Sequence, residues 1–293
     1  MEDKDQLHRF IFDNVPVRGE VVQLHSSWKS VLDRHDYPAV VRDVLGEAMA
    51  ATVLLSATIK FLGSITLQIQ SNGPVSMLVV QVKTDKTVRA MASYDDEELK
   101  PGLKNLFGEA QLVITIEMDN AAERYQGIVE LGDKNIAAAL EEYFRSSEQL
   151  ETRLWLTADE NNAGGFLLQQ MPGEPSADGE RDDWNRLVIL ANTLSDEELK
   201  TLSAKELLQR LYHEDNLRLF SPDLVEFACS CSKEKIEKTL HTLGYEEVKD
   251  VLDQQGSVGV DCNFCNQHYE FDSIDVETMF TEGLRIHAPE TRH

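Results

Sequence analysis

The four cysteines of this 293-residue chain lie close together, and their spacing constrains the fold more than any other feature. One residue separates Cys229 from Cys231, two residues separate Cys262 from Cys265, and no cysteine precedes Cys229. Clustered cysteines in a reducing compartment are typical of a metal site or of redox chemistry, whereas scattered ones in a secreted chain indicate disulfides. Structural zinc takes four ligands tetrahedrally and binds thiolates well. We expect one zinc ion per chain, held by these four thiolates.

The first cysteine pair is spaced more tightly than the pairs of a common zinc ribbon. In an extended strand, Cys229 and Cys231 would point the same way, because side chains alternate along a strand. A disulfide between them would close a small strained ring that is easily reduced. The pattern therefore fits a permanent structural zinc ribbon and also a reversible redox sensor, and both interpretations stay open on the spacing alone.

Further residues near the cysteines suggest how this part of the chain folds. Ser232 could cap a helix between the two pairs, and Gly244 could end it. Residues 269–271 resemble a short strand, and a surface or supporting role for His268 is favoured over a fifth ligand. Three lysines either offset the charge of four thiolates or are solvated helix residues: Lys233, Lys235 and Lys238.

The residues up to 176 are predicted to form a mixed α/β core domain of the α+β class. A helix is expected from 37 to about 61, with Asp36 as its N-cap and one broad buried face. A hairpin is expected around Asn72-Gly73, because both residues tolerate positive φ. The remaining elements are a helix at 133–147, a turn at 119–120, and strands at 19–25, 64–70, 74–82, 87–92, 111–118, 124–131, 153–156 and 165–170. Strands followed by segregated helices favour α+β.

A Pro-, Gly- and acid-rich stretch at 172–183 precedes a helical, amphipathic segment. Ser195 with Glu198 and Ser203 with Glu206 form two capping boxes, which predict two short helices. Helices this short are marginal alone, so we expect them to lie on the first domain. The segment is either a cover for that domain or an ordinary connecting hairpin. The predicted division is a core at 1–176, an amphipathic helical linker at 177–227, and a zinc-binding domain at 228–293.

Composition and motifs exclude several classes of function. The net charge of −24 disfavours binding to nucleic acid and to anionic membranes. The longest nearly apolar run, residues 48–59, is shorter than the roughly 20 residues of a membrane-spanning helix. The charged N-terminus lacks the apolar stretch of a signal peptide, so a cytoplasmic protein is expected. The sequence has no P-loop, HExxH or GxSxG motif, so we expect no enzyme.

Motifs along almost the whole chain resemble those of the 33 kDa chaperonin family, which are redox-regulated heat-shock holdases of the bacterial cytosol. The most specific are FACSCSKEK at 227–235 and CNFCNQHYEF at 262–271. Six others occur in the expected order: RGE at 18–20, HDYP at 35–38, ERYQG at 123–127, YFRSSEQLETR at 143–153, GGFLLQQMP at 164–172 and LLQRLYHE at 207–214.

The resemblance implies a complete redox switch. Family members hold zinc through the four cysteines when reduced and are then nearly inactive. Peroxide with mild heat, or hypochlorite, forms two disulfides, here Cys229–Cys231 and Cys262–Cys265. The zinc domain and the linker then unfold, and a surface for unfolded client proteins is exposed. The oxidised form tends to dimerise, and no ATP is used.

Two other functions compete with this interpretation. A thiol–disulfide oxidoreductase using Cys262 and Cys265 would need an accessible, low-pKa thiol at a helix N-terminus in a βαβ context, which the pattern does not provide. A zinc-ribbon module for nucleic acid or a protein partner would use the metal only as a scaffold. Turnover in insulin reduction, or salt-sensitive DNA binding, would favour these alternatives.

Overall fold

The structure is a computed structural model, and it describes residues 5–58, 62–95, 99–119, 124–132, 134–172 and 179–285. The chain divides into two compact units, Met1–Ala228 and Cys229–His293. The observed fold is α+β, as predicted. Four predicted features lie outside the described residues: the boundary between 176 and 177, the helix start at Asp133, the turn residue Asn120 and the helix end at Phe61.

The first unit contains two mainly antiparallel sheets and seven helices among its described residues. Its helices are α1 Ser26–Leu32, α2 Ala39–Thr58, α3 Leu103–Phe107, α4 Ile136–Tyr143 with a π-helical turn at Phe144–Glu148, α5 Gly179–Ala191, α6 Asp196–Thr201 and α7 Ala204–Tyr212. Its strands are β1 Gln6–Phe12, β2 Val17–Leu24, β3 Gly63–Ser71, β4 Met77–Lys83, β5 Thr87–Ser93, β6 Ala110–Met118, β7 Arg124–Glu130, β8 Thr152–Ala158, β9 Ala163–Gln170, β10 Leu217–Leu219, β11 Asp223–Leu224 and β12 Glu226–Phe227.

Strand order defines the two sheets. Sheet 1 has the order β10-β1-β2-β9-β8, with β11 also paired to β1. Sheet 2 has the order β12-β5-β4-β3-β6-β7, and only its β12–β5 pair is parallel. The predicted hairpin joins β3 to β4, but Asn72 and Gly73 lie in a longer loop and neither has positive φ. A glycine is needed at position 73 for space and not for its φ, because a Cβ there would lie 2.5 Å from the backbone of Phe107.

Helix α2 packs against both sheets, and this explains its unusual composition. Twelve of its 20 residues are buried, including an almost continuous run near its end. We expected one buried face, but a helix between two sheets needs apolar side chains on most of its circumference. Its first hydrogen bonds end on the carbonyl of Pro38, so this residue, and not Asp36, occupies the N-cap position.

Helices α5, α6 and α7, here called the covering layer, pack on the face of sheet 1 opposite α2. The sheet contributes the buried side chains of Phe10, Phe12, Val17, Val21, Phe166 and Leu168. The covering layer contributes those of Trp184, Leu187, Ala191, Leu199, Ala204, Leu207, Leu208, Leu211 and Tyr212. The two predicted capping boxes begin α6 and α7 as expected. The helical part of the predicted linker ends with α7, because residues 217–227 pair with sheet edges as β10, β11 and β12.

The second unit is small and has few buried side chains. It contains helices α8 Lys233–Leu243, α9 Tyr245–Gln255 and α10 Ser273–Arg285, and a hairpin of β13 Val258–Asp261 with β14 His268–Phe271. Among its described residues, the apolar cluster has five buried members: Leu240, Val248, Val258, Phe271 and Val276. A core of this size is marginal for independent folding, so the unit needs another source of stability.

Candidate metal centre

The four cysteine sulfurs meet in the second unit. Cys262 directly follows β13, and Cys265 lies in the turn that leads to β14. The Cys262 N–H donates to the carbonyl of Gln267 at 3.0 Å, and the Asn266 N–H donates to the carbonyl of Cys262 at 2.7 Å. Asn266 has φ 56°, a left-handed conformation that asparagine tolerates better than most residues. The hairpin tip thus presents both sulfurs on one side.

Cys229 and Cys231 approach from the other end of the helical insert. They lie in irregular backbone and not in a strand. The predicted cap is confirmed, because the Ser232 side chain accepts from the backbone N–H of Lys235 at the start of α8. The predicted helix end is also confirmed, with Gly244 at φ 105°. A capped helix start fixes the direction of the cysteine segment that immediately precedes it.

The sulfur geometry fits a tetrahedral metal ion. All four Sγ atoms lie within 4.8 Å of one another, with Cys229 to Cys262 at 3.7 Å and Cys231 to Cys265 at 3.4 Å. Four thiolates about 2.3 Å from a tetrahedral zinc ion would lie about 3.8 Å apart. All four cysteines are free thiols in this structure.

Electrostatics favour a cation at this point. Burial raises the pKa of Cys262, and it raises the pKa of Cys265 to about 12. Burial acts in the same direction on Cys229, but hydrogen bonds from the Cys231 N–H and from the neighbouring thiols lower its pKa to about 7. The cluster alone therefore accommodates the Cys229 thiolate readily and the Cys262 and Cys265 thiolates only with difficulty. A bound divalent cation removes this penalty, because it deprotonates coordinating thiols.

Polar side chains around the cluster have defined partners. The Tyr269 hydroxyl donates to the Cys231 sulfur at 3.2 Å, a contact that the sequence did not reveal. His268 is exposed and contacts Asp261 through Nδ1 at 2.7 Å, in agreement with a role other than that of a fifth ligand. Lys233 pairs with Asp275 at 3.1 Å, so its charge is partly offset by that carboxylate.

Comparisons with known proteins identify the family. The Hsp33 protein family matches residues 5–272. The 33 kDa chaperonin of Nitrosococcus oceani is 48% identical over 293 residues, and that of Methylobacillus flagellatus is 41% identical over 294; each alignment covers all of both chains. This chain belongs to the Hsp33 family.

The Hsp33 fold is also found in a solved structure. The crystal structure of the 33 kDa chaperonin from Thermotoga maritima has a TM-score of 0.80 and 22% identity, and covers 96% of this chain and 99% of that chain. The named Hsp33 relatives are chaperonins, and the chain is a chaperone of this family. Within the described residues, no helix combines the length and apolarity needed to cross a membrane.

Proposed function

We propose that this chain is a redox-regulated, ATP-independent holdase of the cytoplasm, which binds unfolding proteins and prevents their aggregation during oxidative stress with heat. The observation that carries the proposal is the cluster of four thiols within 4.8 Å in a unit with a small core. The functional division is a core at 1–176, a linker at 177–227 and a switch domain at 228–293.

In the reduced state, Cys229, Cys231, Cys262 and Cys265 hold one Zn²⁺ per chain. The bound ion supplies the positive charge that keeps four thiolates together, and in small sites it contributes roughly 10–16 kcal/mol of apparent folding energy. Five buried apolar side chains give the unit little stability of their own. The reduced protein therefore keeps a folded second unit and is inactive.

Oxidation converts thiolate pairs into disulfides. In each pair, one thiolate attacks a peroxide oxygen, which gives a sulfenic acid and releases hydroxide. The second thiol then attacks the sulfenic sulfur, forms the S–S bond and releases water. Each pair loses two electrons and consumes one peroxide. The proposed pairs are Cys229–Cys231 and Cys262–Cys265, whose sulfurs are then unable to act as thiolate ligands.

Unfolding of the second unit leads to release of the linker. Helices α6 and α7 have six and nine residues, so they have little helical stability without the sheet beneath them. Their departure exposes the apolar side chains on the outer face of sheet 1, including Phe10 and Phe166. This surface binds unfolded client proteins, and the oxidised form is a homodimer.

One experiment follows zinc release and chaperone activity together. Zinc-loaded protein is treated with peroxide at a heat-shock temperature, a chelating dye reports zinc, and light scattering reports aggregation of a thermolabile enzyme. We expect both signals to begin together and to reverse after reduction with zinc present. Zinc release without suppression of aggregation would leave the cysteines a scaffold role only.

A further inference from the structure

The last segment of the first unit closes one edge of each sheet. Strands β10 and β11 pair antiparallel with β1 of sheet 1, and β12 pairs in parallel with β5 of sheet 2. These three strands lie within residues 177–227, the segment whose release is part of the proposed function. Release of this segment therefore uncovers two strand edges in addition to the apolar face of sheet 1.

Main-chain hydrogen bonds hold this segment on both edges. The bonds to sheet 1 and its ends are Asp13 N–H to Asn216 O at 2.9 Å, Phe220 N–H to Arg9 O at 2.9 Å and Val225 N–H to Asp5 O at 3.0 Å. The bonds beside sheet 2 are Glu226 N–H to Lys86 O at 3.3 Å and Ala228 N–H to Val88 O at 3.1 Å.

Most side chains of the segment are exposed or only partly buried. Among residues 216–228, Val225 alone is buried, at 3% exposure. Phe220 and Leu224 are 40% and 43% exposed. The two edges thus hold an extended chain by main-chain hydrogen bonds, supported by partial packing of Leu217, Leu219 and Phe227.

We propose that the freed edges of β1 and β5 bind extended segments of unfolding client proteins by β-strand addition. This inference rests on the proposed function and specifies how it binds its clients. Unfolded proteins share no side-chain pattern, but all of them present backbone donors and acceptors, which strand addition uses for affinity. The native occupant shows the mode of binding, because residues of this chain already fill both edges in the same way.

The other outer strands do not account for a gain of activity on oxidation. In the part of the chain that the structure describes, β7 pairs only with β6, and β8 pairs only with β9. Their outer edges already lack a partner strand in the reduced fold. Among the described strands, only β1 and β5 have edges that change from occupied to free when the segment leaves, so these edges link client binding to oxidation.

The test uses two fluorescent peptides with the sequence of residues 215–228, DNLRLFSPDLVEFA. The blocked peptide is N-methylated at Phe220, Glu226 and Ala228, whose N–H groups donate to the sheet edges. Its matched isomer is N-methylated at Leu217, Leu219 and Phe227. The N–H groups of these residues point away from the sheet edges, because donors alternate along a strand. The two isomers have the same side chains, mass and number of N-methyl groups.

Anisotropy is measured with full-length protein, reduced or peroxide-treated. We expect the matched isomer to bind only the oxidised protein and to reduce its suppression of aggregation. The blocked peptide should bind at least ~10-fold more weakly, because three ladder hydrogen bonds are lost. Equal binding of the isomers, or binding of neither, would overturn strand addition while suppression of aggregation by the oxidised protein kept the proposed function intact. Absence of that suppression would instead contradict the proposed function itself.

A second copy of the chain is the competing occupant of the edges. If it fills them in the oxidised protein, the apparent affinity of the matched isomer will weaken as the protein concentration rises. That result would overturn the assignment to client segments. An affinity independent of protein concentration supports it.

Discussion

The side-chain amide of Gln23 in β2 donates to the main-chain carbonyl of Leu199 in α6 at 2.9 Å, and it also reaches the carbonyl of Leu202. One side chain of sheet 1 thus satisfies carbonyls at the end of a covering-layer helix. Gly164, which faces Gln23 across the β2–β9 ladder, permits the close approach, because a Cβ there would lie 3.1 Å from the same Leu199 oxygen. The position of α6 is therefore fixed by polar contacts as well as by apolar packing.

Replacing Gln23 with leucine should loosen α6 without altering any cysteine. The carbonyls of Leu199 and Leu202 would lose their shared donor, at a cost of about 1–3 kcal/mol. We expect faster hydrogen exchange in α6 of the reduced protein and activation by peroxide at a lower temperature. The control Gln126→Leu removes an amide that donates to Thr115 within sheet 2, and it should change neither measurement. An unchanged activation temperature in the Gln23 variant would contradict the anchoring role.

A charge beneath the covering layer should activate the reduced protein. Leu207 is fully buried between α7 and sheet 1, and burying a carboxylate there costs more than the ~3 kcal/mol of simply truncating such a leucine. Leu207→Asp should therefore suppress aggregation without oxidant while still binding zinc, and Leu211→Asp should behave similarly. The matched change Ile189→Asp, on the same layer but 64% exposed, should leave the reduced protein inactive. A silent Leu207→Asp would show that displacement of the layer is insufficient for activity.

Disulfide mapping by proteolysis and mass spectrometry should find the proposed pairs in the active fraction, Cys229–Cys231 and Cys262–Cys265. The short contacts in the reduced fold run between motifs, with Cys229 to Cys262 at 3.7 Å and Cys231 to Cys265 at 3.4 Å. Disulfides between motifs would close long loops and stabilise the unit by about 3–4 kcal/mol each. Pairs within a motif leave the unit free to unfold. Cross-motif pairs in the active fraction would refute the unfolding step.

Removing the Tyr269 hydroxyl should weaken zinc binding. This hydroxyl donates a hydrogen bond to the Cys231 sulfur at 3.2 Å and so orients a metal ligand without binding the metal itself. Loss of such a hydrogen-bond partner typically costs about 10–100-fold in metal affinity. Tyr269→Phe should therefore lose zinc to a competing chelator at a lower chelator concentration, with unchanged helix content. The control is Tyr245→Phe, a change in the same unit at a ring that packs on Phe280. Equal zinc affinity in all three proteins would exclude this supporting role.

The stability of the reduced protein should depend on pH through Glu47. Burial raises the pKa of Glu47 from 4.5 to about 7, and the carboxylates of Asp196 and Asp43 add to the rise. The folded state then keeps a proton that the unfolded state has released. The contribution of Glu47 to the free energy of unfolding therefore falls as pH rises from 4.5 to about 7, and it changes no further above that pH.

Glu47→Gln should remove this part of the pH dependence and stabilise the protein at pH 8 by up to about 3 kcal/mol. Denaturant titrations at several pH values measure it. The control Glu214→Gln changes a carboxylate that is 84% exposed, and it should preserve the slope. A Glu47→Gln protein with the wild-type pH dependence would contradict the assignment.

Local signals predicted the local structure well. The capping boxes at Ser195 and Ser203 gave the starts of α6 and α7, because a cap is decided within four residues. The alternation of apolar and polar residues predicted β3 and β6, because this pattern is also decided within a few neighbouring residues. Strands β10 to β12 were missed, since segments of two or three residues have no detectable period and exist only where a sheet edge is available.

Relations between distant segments lay beyond the sequence patterns. The pairing of β2 with β9 is decided by packing on α2 and the covering layer, and neither strand encodes its partner. The cysteine spacing predicted a cluster of sulfurs, but the Tyr269 donor depends on the register of the β13–β14 hairpin. An aromatic hydroxyl four residues after the last cysteine of a zinc motif would have been the signal to follow.

The shortness of α6 has a consequence for adaptation to temperature. With only six residues, this helix loses a large share of its contacts if it loses a single turn, and gains a large share if one is added. Under the proposed function, a longer or shorter α6 would shift the temperature at which the covering layer leaves sheet 1, without any change at the cysteines.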